Sequence, residues 1–402
     1  MSRSKQKPTT NEKKPTRTSQ FRLSPTRKQQ RTLENWLGVC CETYHAALDE
    51  RKSAYRMARV SLSFEDQCAE LPGCKAVRSD LAEVPSQVLQ DVLKRVDLAF
   101  DAFFARVQDG KTPGFPRFTS RVRSHSLTFK QFGNSFKIHT RDQKNRGMLE
   151  LAKLGQVKMI LHRQIKGTPK TAIVKRTPTG KWFVHITVER SEKEIQHKQA
   201  PASEEAVGID VGLHTFASLS TGEAIANPRF FREDEAALAR ASRKLSRAVK
   251  GSKEREKKRT IVARIHERIA NRRKNFIEQE ASKLVARFGV LAIEALVVRS
   301  MVKHPHLAKS IADASWSMFF TRLQAKAEET GRQVVRVNPA YTSQTCSACG
   351  HRQPMPLSVR VYECPRCGLI LDRDHNGSKN ILEEALIAVG RHSRVIPEAP
   401  AL

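Results

Sequence analysis

The tightest constraint on this chain is a 23-residue window holding two Cys-x-x-Cys-Gly turns, CSACG at 346–350 and CPRCG at 364–368. Fourteen residues separate the two pairs. A Cys-x-x-Cys on a tight turn aims both sulfurs at one ion, and Gly350 and Gly368 let each turn close with no Cβ in the way. Together Cys346, Cys349, Cys364 and Cys367 make a tetrahedral set with Zn–S bonds near ~2.3 Å. All four positions are protein thiolates, so a Zn²⁺ held there is structural rather than catalytic. Competing readings of the same spacing are two disulfides, a redox pair or an iron–sulfur site. Cys40, Cys41, Cys68 and Cys74 lack ligand spacing and read as buried structural thiols. That usage suits a reducing, cytoplasmic compartment.

The chain around this window is basic. Lys+Arg number 72 against Asp+Glu 41, a net charge of +31 over 402 residues. Such a surplus needs a polyanionic partner, nucleic acid first and an anionic membrane surface second. Hydrophobic residues at 39% are sufficient for packed cores, so the chain is not a disordered basic tail. No run of eighteen apolar residues occurs, and a spanning helix is not expected. Residues 1–13 read as a flexible basic arm without the apolar stretch of a signal peptide, and 391–402 as a tail.

Hydrophobic periodicity divides the remainder. Phe21 to Leu23 is a short extended piece, and Ser24-Pro25 reads as an N-cap followed by proline at the first helical position. Leu33, Trp36, Leu37 and Tyr44 recur at helical spacing, as do Val88, Leu89, Val92, Val96, Phe100 and Phe103 within 86–107. Residues 25–107 are therefore chiefly helical. Alternating strands fill 126–190, with a Thr179-Gly180 hairpin, and suggest a small basic barrel. A polar linker, 196–206, leads to a strand, tight turn and strand at 207–225. A basic helical hairpin follows, broken near Gly251, then an apolar strand at 288–298. A helix over 313–330, a short strand over 333–337 and a closing helix over 377–389 complete the pattern. Strands alternating with helices give an α/β core to the last 200 residues.

Two strand acids, and a pair of which one could join them, stand out against that pattern. Asp210 in VGIDVG and Glu294 in VLAIEALVV both lie inside apolar strands, where a charge is costly unless paired, hydrogen-bonded or metal-bound. Asp372 and Asp374 fall just before the closing helix. Three converging carboxylates are hard-oxygen ligands suited to Mg²⁺ or Mn²⁺. Two such ions can straddle a phosphodiester, leaving a 5′-phosphate and a 3′-hydroxyl. Other roles remain open: Asp210 as a turn or cap acid, Glu294 as a salt-bridge partner of the basic hairpin, Asp372 or Asp374 as the cap of the last helix.

The segments TSQTCSACG, YECPRCG and LDRDHNGSKNIL resemble the C-terminal signature of the TnpB family, transposon-encoded RNA-guided DNA endonucleases related to compact type V CRISPR nucleases. VGIDVGLHTFASLSTG, LAIEALVVRSM, PGFPRF and FRLSPTRKQQRTLENWLG are similar to further family segments, so the resemblance spans about 20–390. It implies an α/β RNase H-like (RuvC) nuclease core over 205–340 and 369–390, with a zinc-ribbon insert over 341–368. It also implies a wedge-like β-barrel over 14–24 and 108–200, interrupted by a helical recognition region over 25–107. The implied catalytic, magnesium-binding acids are Asp210, Glu294 and Asp374, the second acid of Asp-Arg-Asp. The implied partners are a guide RNA and a target DNA beside a short motif, with the protein a monomer or homodimer acting at the nucleoid. Where the family commonly has Glu-Asp-Leu and Asn-Ala-Ala, this chain has Glu294-Ala295-Leu296 and Asn376-Gly377-Ser378.

Lys111, Phe115, Arg117, Arg121 and Arg123, around PGFPRF, are candidate phosphate and base contacts, and Arg373 is a candidate phosphate contact beside the acids. A solvated basic linker is the alternative for the first group, and pairing with Asp372 for Arg373. Two other functions fit the same residues: a non-catalytic nucleic-acid-binding regulator, and a DNA strand-transfer transposase.

Overall fold

The computed structural model describes residues 15–120, 125–140, 146–191, 205–356 and 358–390. The chain divides into two units, Met1–Ile195 and Gln196–Leu402. The basic arm, the tail and most of the 196–206 linker lie outside the described residues.

The first unit opens with β1 (Thr16–Ser24) and four helices, α1 (Arg27–Ala58), α2 (Phe64–Val77), α3 (Ser79–Glu83) and α4 (Ser86–Gln108). Six strands follow: β2 (Ser126–Lys130), β3 (Phe136–Thr140), β4 (Arg146–Leu151), β5 (Gly155–Ile160), β6 (Thr168–Arg176) and β7 (Trp182–Glu189). They form an antiparallel sheet of order β2-β6-β7-β1-β5-β4-β3, so β1 sits at its centre although the helices separate it from every other strand in sequence. The two outermost strands, β2 and β3, are consecutive and joined by residues 131–135. Seven flat strands would span about 29 Å, whereas that link reaches about 20 Å at most. The sheet is therefore rolled. Its inner side takes Trp182, Val184, Ile186 and Val188 of β7 with Phe21 and Leu23 of β1, all buried.

Ser24 does not cap the first helix. It is the last residue of β1, paired with Lys158. Thr26 caps α1 instead, through a reciprocal bond with Gln29: the Gln29 N–H donates to Thr26 Oγ1 and the Thr26 N–H to Gln29 Oε1. Strand pairing of Ser24 outcompetes its local capping preference. Cys74 is exposed, so it is not a buried structural thiol, whereas Cys40 and Cys41 are buried.

The second unit runs β8 (Ala206–Val211), β9 (Thr215–Leu219), β10 (Ala224–Ala226), α5 (Phe230–Ser246), α6 (Lys253–Arg287), β11 (Val290–Glu294), α7 (Val298–Met301), α8 (Ala308–Ala314), α9 (Trp316–Thr330), β12 (Gln333–Val337), β13 (Val361–Glu363), β14 (Ile370–Asp372) and α10 (Arg373–Ala388). Its sheet has the order β10-β9-β8-β11-β12. β8, β9 and β10 form an antiparallel meander, while β11 is parallel to both β8 and β12. Three strands thus replace the expected two over 207–225. The expected single helix over 313–330 is two, α8 and α9, parted by Ser315 at φ 57°.

Strand alternation decides which side chains meet which helices. Val207 and Ile209 of β8 and Leu291 and Ile293 of β11 pack with α6 and α9, against Ile277, Ala281, Leu284, Phe319 and Leu323. The intervening residues face α10, where Ala292 and Val337 pack on Ile381 and Ala385. Gly208 brings α10 close: a Cβ there would lie 2.8 Å from Leu382 N. Among the described residues no helix is long and apolar enough to cross a membrane.

Candidate active site

Asp210 and Glu294 each follow, by two residues, a position that faces α10, namely Gly208 and Ala292. Both acids therefore point to the α10 side of the sheet. The β8–β11 register pairs Gly208 with Ala292 and Ile209 with Ile293. One further step places Asp210 opposite Glu294 on strands about 4.8 Å apart. Asp374 joins them from the first turn of α10.

The sequence pattern starts the last helix at residue 377; it starts at Arg373, and Asp372 is its N-cap. Asp372 Oδ1 accepts from the Asp374 N–H at 2.9 Å and the His375 N–H at 3.1 Å. This divides the two acids of Asp-Arg-Asp: the first is occupied in capping, the second faces the other carboxylates. A Cβ added at Gly212 would sit 3.6 Å from Asp374 Oδ2, and one at Gly377 would sit 2.9 Å from Asp210 Oδ2. Two bare backbone positions thus border the carboxylates.

Glu294 is 8% exposed, and its carboxylate accepts from the Thr342 hydroxyl at 2.6 Å. That hydroxyl, not an arginine of the basic hairpin, is its hydrogen-bond partner. Asp374 Oδ2 lies 3.6 Å from Arg360 Nη1. Burial, then the charges of Glu294 and Asp374, push Asp210 well above the ordinary carboxylate range. Burial and Asp372 push Asp374 up against the pull of Arg360, Arg373 and His214. Burial pushes Glu294 up against the Thr342 hydrogen bond. All three acids have raised proton affinity, Asp210 in part through the other two, and their all-oxygen donor set suits a hard divalent ion. Their oxygens are not all within 4.8 Å of one another. Among the described residues the cysteine sulfurs alone form so tight a cluster.

The four thiols are free. Cys346 and Cys367 Sγ lie 3.6 Å apart, as do Cys349 and Cys364 Sγ. A disulfide needs about 2.05 Å, whereas a tetrahedron of ~2.3 Å bonds has edges of about 3.8 Å. The spacing fits one ion such as Zn²⁺ and sets the disulfide reading aside. Gly350 and Gly368, at φ 73° and 71°, close the two knuckles, each donating its N–H to the first cysteine's carbonyl at 3.0 Å. Burial pushes Cys346 up to about 12, so a cation is needed to hold it as thiolate. The hairpin β13–β14 extends to Asp372, four residues past the expected ribbon boundary, and runs directly into α10.

Arg373 is turned toward the ribbon loop. It is 9% exposed, and its guanidinium donates to the Pro356 carbonyl at 3.0 Å. As the first residue of α10 it turns back beneath the ribbon loop, and it pairs with that carbonyl rather than with Asp372. Sequence reasoning also missed Asn376 and Asn380. Their amides donate to the carbonyls of Thr342 and Thr345 at 2.7–2.8 Å and tie the first knuckle to α10. Their spacing, four apart and so on one helix face, was the one weak signal in the sequence.

A cavity of about 480 Å³ shares Arg360 with Asp374 and is also lined by His214, Arg229 and Arg232. A larger one, about 600 Å³, lies in the first unit, where Glu42, Glu50 and Glu70 make it a poor phosphate site. The other candidate contacts belong to the first unit. Lys111 is exposed and paired with Asp109 at 2.7 Å. Phe115 packs edge-on against Phe100 and Phe103, with centroids 5.7 and 5.3 Å away, and is 45% exposed. Arg117 is exposed. Arg121 and Arg123 lie outside the described residues.

Three family models match. "Cas12f1-like, TNB domain" covers 316–381, "Probable transposase" 185–304 and "Helix-turn-helix domain" 16–59. Over 16–59 the structure holds one strand and one continuous helix. A Streptomyces pristinaespiralis protein named "Putative RNA-guided DNA endonuclease" is 34% identical over 380 residues, covering 92% of this chain and 90% of its own. The Escherichia coli K12 protein "Putative RNA-guided DNA endonuclease InsQ" is 30% identical over 390 residues, covering 92% and 93%. Among solved structures, a Cas12f1–sgRNA–target DNA complex matches with TM-score 0.56 at 16% identity, covering 89% of this chain and 83% of that one. The mini-RNA-guided endonuclease CRISPR-Cas_phi3 matches with TM-score 0.52 at 9% identity, covering 93% and 92%. The fold is thus that of compact type V nucleases, and with 34% identity sustained over nine-tenths of both chains, the protein belongs to the TnpB family of transposon-encoded RNA-guided DNA endonucleases.

Proposed function

We propose that the protein is an RNA-guided, Mg²⁺-dependent DNA endonuclease that cuts beside a short target-adjacent motif, using an RNase H-like (RuvC) core in its second unit. The observation that carries this reading is the grouping of Asp210, Glu294 and Asp374 on one side of the sheet, each with its proton affinity raised and two of them by the others or by Asp372. These three would hold Mg²⁺ or Mn²⁺, which when bound lowers the pKa of an attacking water and stabilises the leaving 3′-oxygen. Asp372 fixes the first turn of α10 and thereby the position of Asp374. Thr342 holds one oxygen of Glu294. The four cysteines would hold Zn²⁺ as a structural ion at the entry to α10.

In this reading the rolled sheet of the first unit is the wedge-type barrel and α1 to α4 the recognition region. Sequence specificity comes from base pairing of the guide, and the +31 charge holds the nucleic-acid backbones. Lys111, Phe115 and Arg117 are proposed contacts of that kind. The test is cleavage of a randomised supercoiled plasmid library by protein co-expressed with its flanking locus and a matching guide. Guide-dependent cuts beside one recurrent motif, lost in Asp374→Ala, support the proposal. Binding without cuts favours a regulator, and strand-joined products favour a transposase.

A further inference from the structure

The Thr342 hydroxyl is the hydrogen-bond donor to Glu294 among the described residues, and Thr342 itself belongs to the segment that leads into the first cysteine knuckle. It is 4% exposed. Its Oγ1 lies 2.6 Å from Glu294 Oε1 and 3.3 Å from the Pro339 carbonyl, so the proton goes to the carboxylate. Its own carbonyl accepts from Asn380 Nδ2 at 2.8 Å, and the same amide nitrogen also donates to the Thr345 carbonyl at 2.7 Å. One turn earlier, Asn376 Nδ2 donates to the Thr345 carbonyl at 2.7 Å and Asn376 Oδ1 accepts from the Ser347 N–H at 2.9 Å. Asn376 and Asn380 are 0% and 5% exposed, so these bonds are made away from water. Residues 342–347, Cys346 among them, are strapped to the helix that carries Asp374.

We infer that Thr342 is a positioning residue for Glu294, and that Asn380 holds it there, so that the first cysteine knuckle sets how Glu294 presents itself to a divalent cation. This rests on the reading of Glu294 as a metal ligand. A donor on Oε1 favours the ionised carboxylate, fixes its rotation and leaves Oε2 for the cation. Without that hydroxyl, Glu294 is a buried acid with no hydrogen-bond donor among the described residues to orient it. The strap also gives the Asn-x-x-x-Asn of the closing helix a role beyond capping or catalysis.

The test is Mn²⁺ binding to the full-length protein–guide complex, followed by titration calorimetry, with zinc content and guide-dependent DNA binding measured in parallel. Mn²⁺ is a hard ion that leaves a thiolate site to zinc. Thr342→Val removes the hydroxyl at nearly constant shape, Thr342→Ser keeps it, and Glu294→Gln is the ligand control. Loss of a ligand's supporting partner typically costs about 10–100-fold in metal affinity. The expected result is that loss for Thr342→Val and near wild-type binding for Thr342→Ser, both retaining zinc. Asn380→Ala weakens binding in the same direction and carries the comparison with Thr342→Ser if Thr342→Val sheds zinc. The inference is overturned if Glu294→Gln weakens Mn²⁺ binding while Thr342→Val or, in that event, Asn380→Ala does not, or if Thr342→Ser is as weak as Thr342→Val. Failure of the nuclease reading has a different signature: wild-type protein that does not cut, with Glu294→Gln leaving Mn²⁺ binding unchanged.

Discussion

Gly208→Ala is a one-methyl perturbation with a large expected effect. Gly208 lies in β8 directly beneath α10. An added Cβ would overlap the Ser378 carbonyl oxygen and stand 2.8 Å from Leu382 N and 2.9 Å from Leu382 Cβ. Ordinary contact begins at 3.4 Å, and two of these three atoms are helix backbone with no rotamer to escape into. The helix must therefore retreat by at least about 0.6 Å to clear Leu382, and further to clear Ser378. Overpacking of this kind costs roughly 1–3 kcal/mol or more. In a unit of this size that lowers the melting temperature by about 2–12 °C. Because α10 carries Asp374 while β8 carries Asp210, the same retreat separates the two acids. A misplacement of about 1 Å costs on the order of 10²-fold in rate. The assay pairs thermal unfolding of the full chain with single-turnover cleavage of guide-matched plasmid. Gly73→Ala, in α2 with nothing within 4 Å of its Cβ, is the control and should gain about 0.5–1 kcal/mol from helix propensity. A Gly208→Ala protein that melts and cuts like wild type would refute the close-packing argument.

Gly377→Ala separates stability from activity: its Cβ meets only Asp210 Oδ2 closely, at 2.9 Å. Stability, read from thermal melting, should hold or rise by up to about 1 kcal/mol of helix propensity, while cleavage falls at least about tenfold. Cys364→Ser should lose zinc, measured by atomic absorption, and with it cleavage that added Mg²⁺ does not restore, because β14 runs from that knuckle into α10. In chelator, Asp210→Asn should melt higher than wild type at neutral pH, since it removes a buried acid that the charges of Glu294 and Asp374 repel. The sign follows from linkage. A carboxyl whose folded pKa is raised binds more protons folded than unfolded, so its contribution is full below the ordinary carboxylate pKa and is lost as pH rises through the raised value. The advantage of Asp210→Asn should therefore shrink toward acidic pH, and melting curves at pH 5 and pH 8 check it.

Features that depend on spacing or period were legible in the sequence. The cysteine cluster follows from two short repeats, the break between α5 and α6 from Gly251, and the placement of Asp210 and Glu294 from charges within apolar runs. What was not legible depends on contacts between distant segments. Which acid of Asp-Arg-Asp caps α10 is set by β14, whose pairing with β13 carries the chain into the helix four residues earlier than hydrophobic periodicity suggests. The neighbours of Arg373 in sequence did not reveal that the ribbon loop supplies it with the Pro356 carbonyl. α2 was not singled out within the helical stretch 25–107 because few of its side chains are buried, Gln67 and Leu71, and because Pro72 lies inside it. Gly208 and Gly377 act through the absence of a side chain, which a sequence pattern reads only as weak propensity. Thr342, Asn376 and Asn380 are ordinary polar residues until the fold brings them against Glu294 and the first knuckle.

The central claim is that Asp210, Glu294 and Asp374 act together as the metal-binding acids of a guided DNA nuclease. The most direct measurement is the single-turnover rate of guide-matched plasmid cleavage in Mg²⁺ by wild type, Asp210→Asn, Glu294→Gln and Asp374→Asn, each first shown to bind guide and target normally. The account predicts that every variant loses more than about 10²-fold while binding is unchanged, beyond what loss of a supporting partner alone costs. A variant that binds normally and cuts within tenfold of wild type would contradict it.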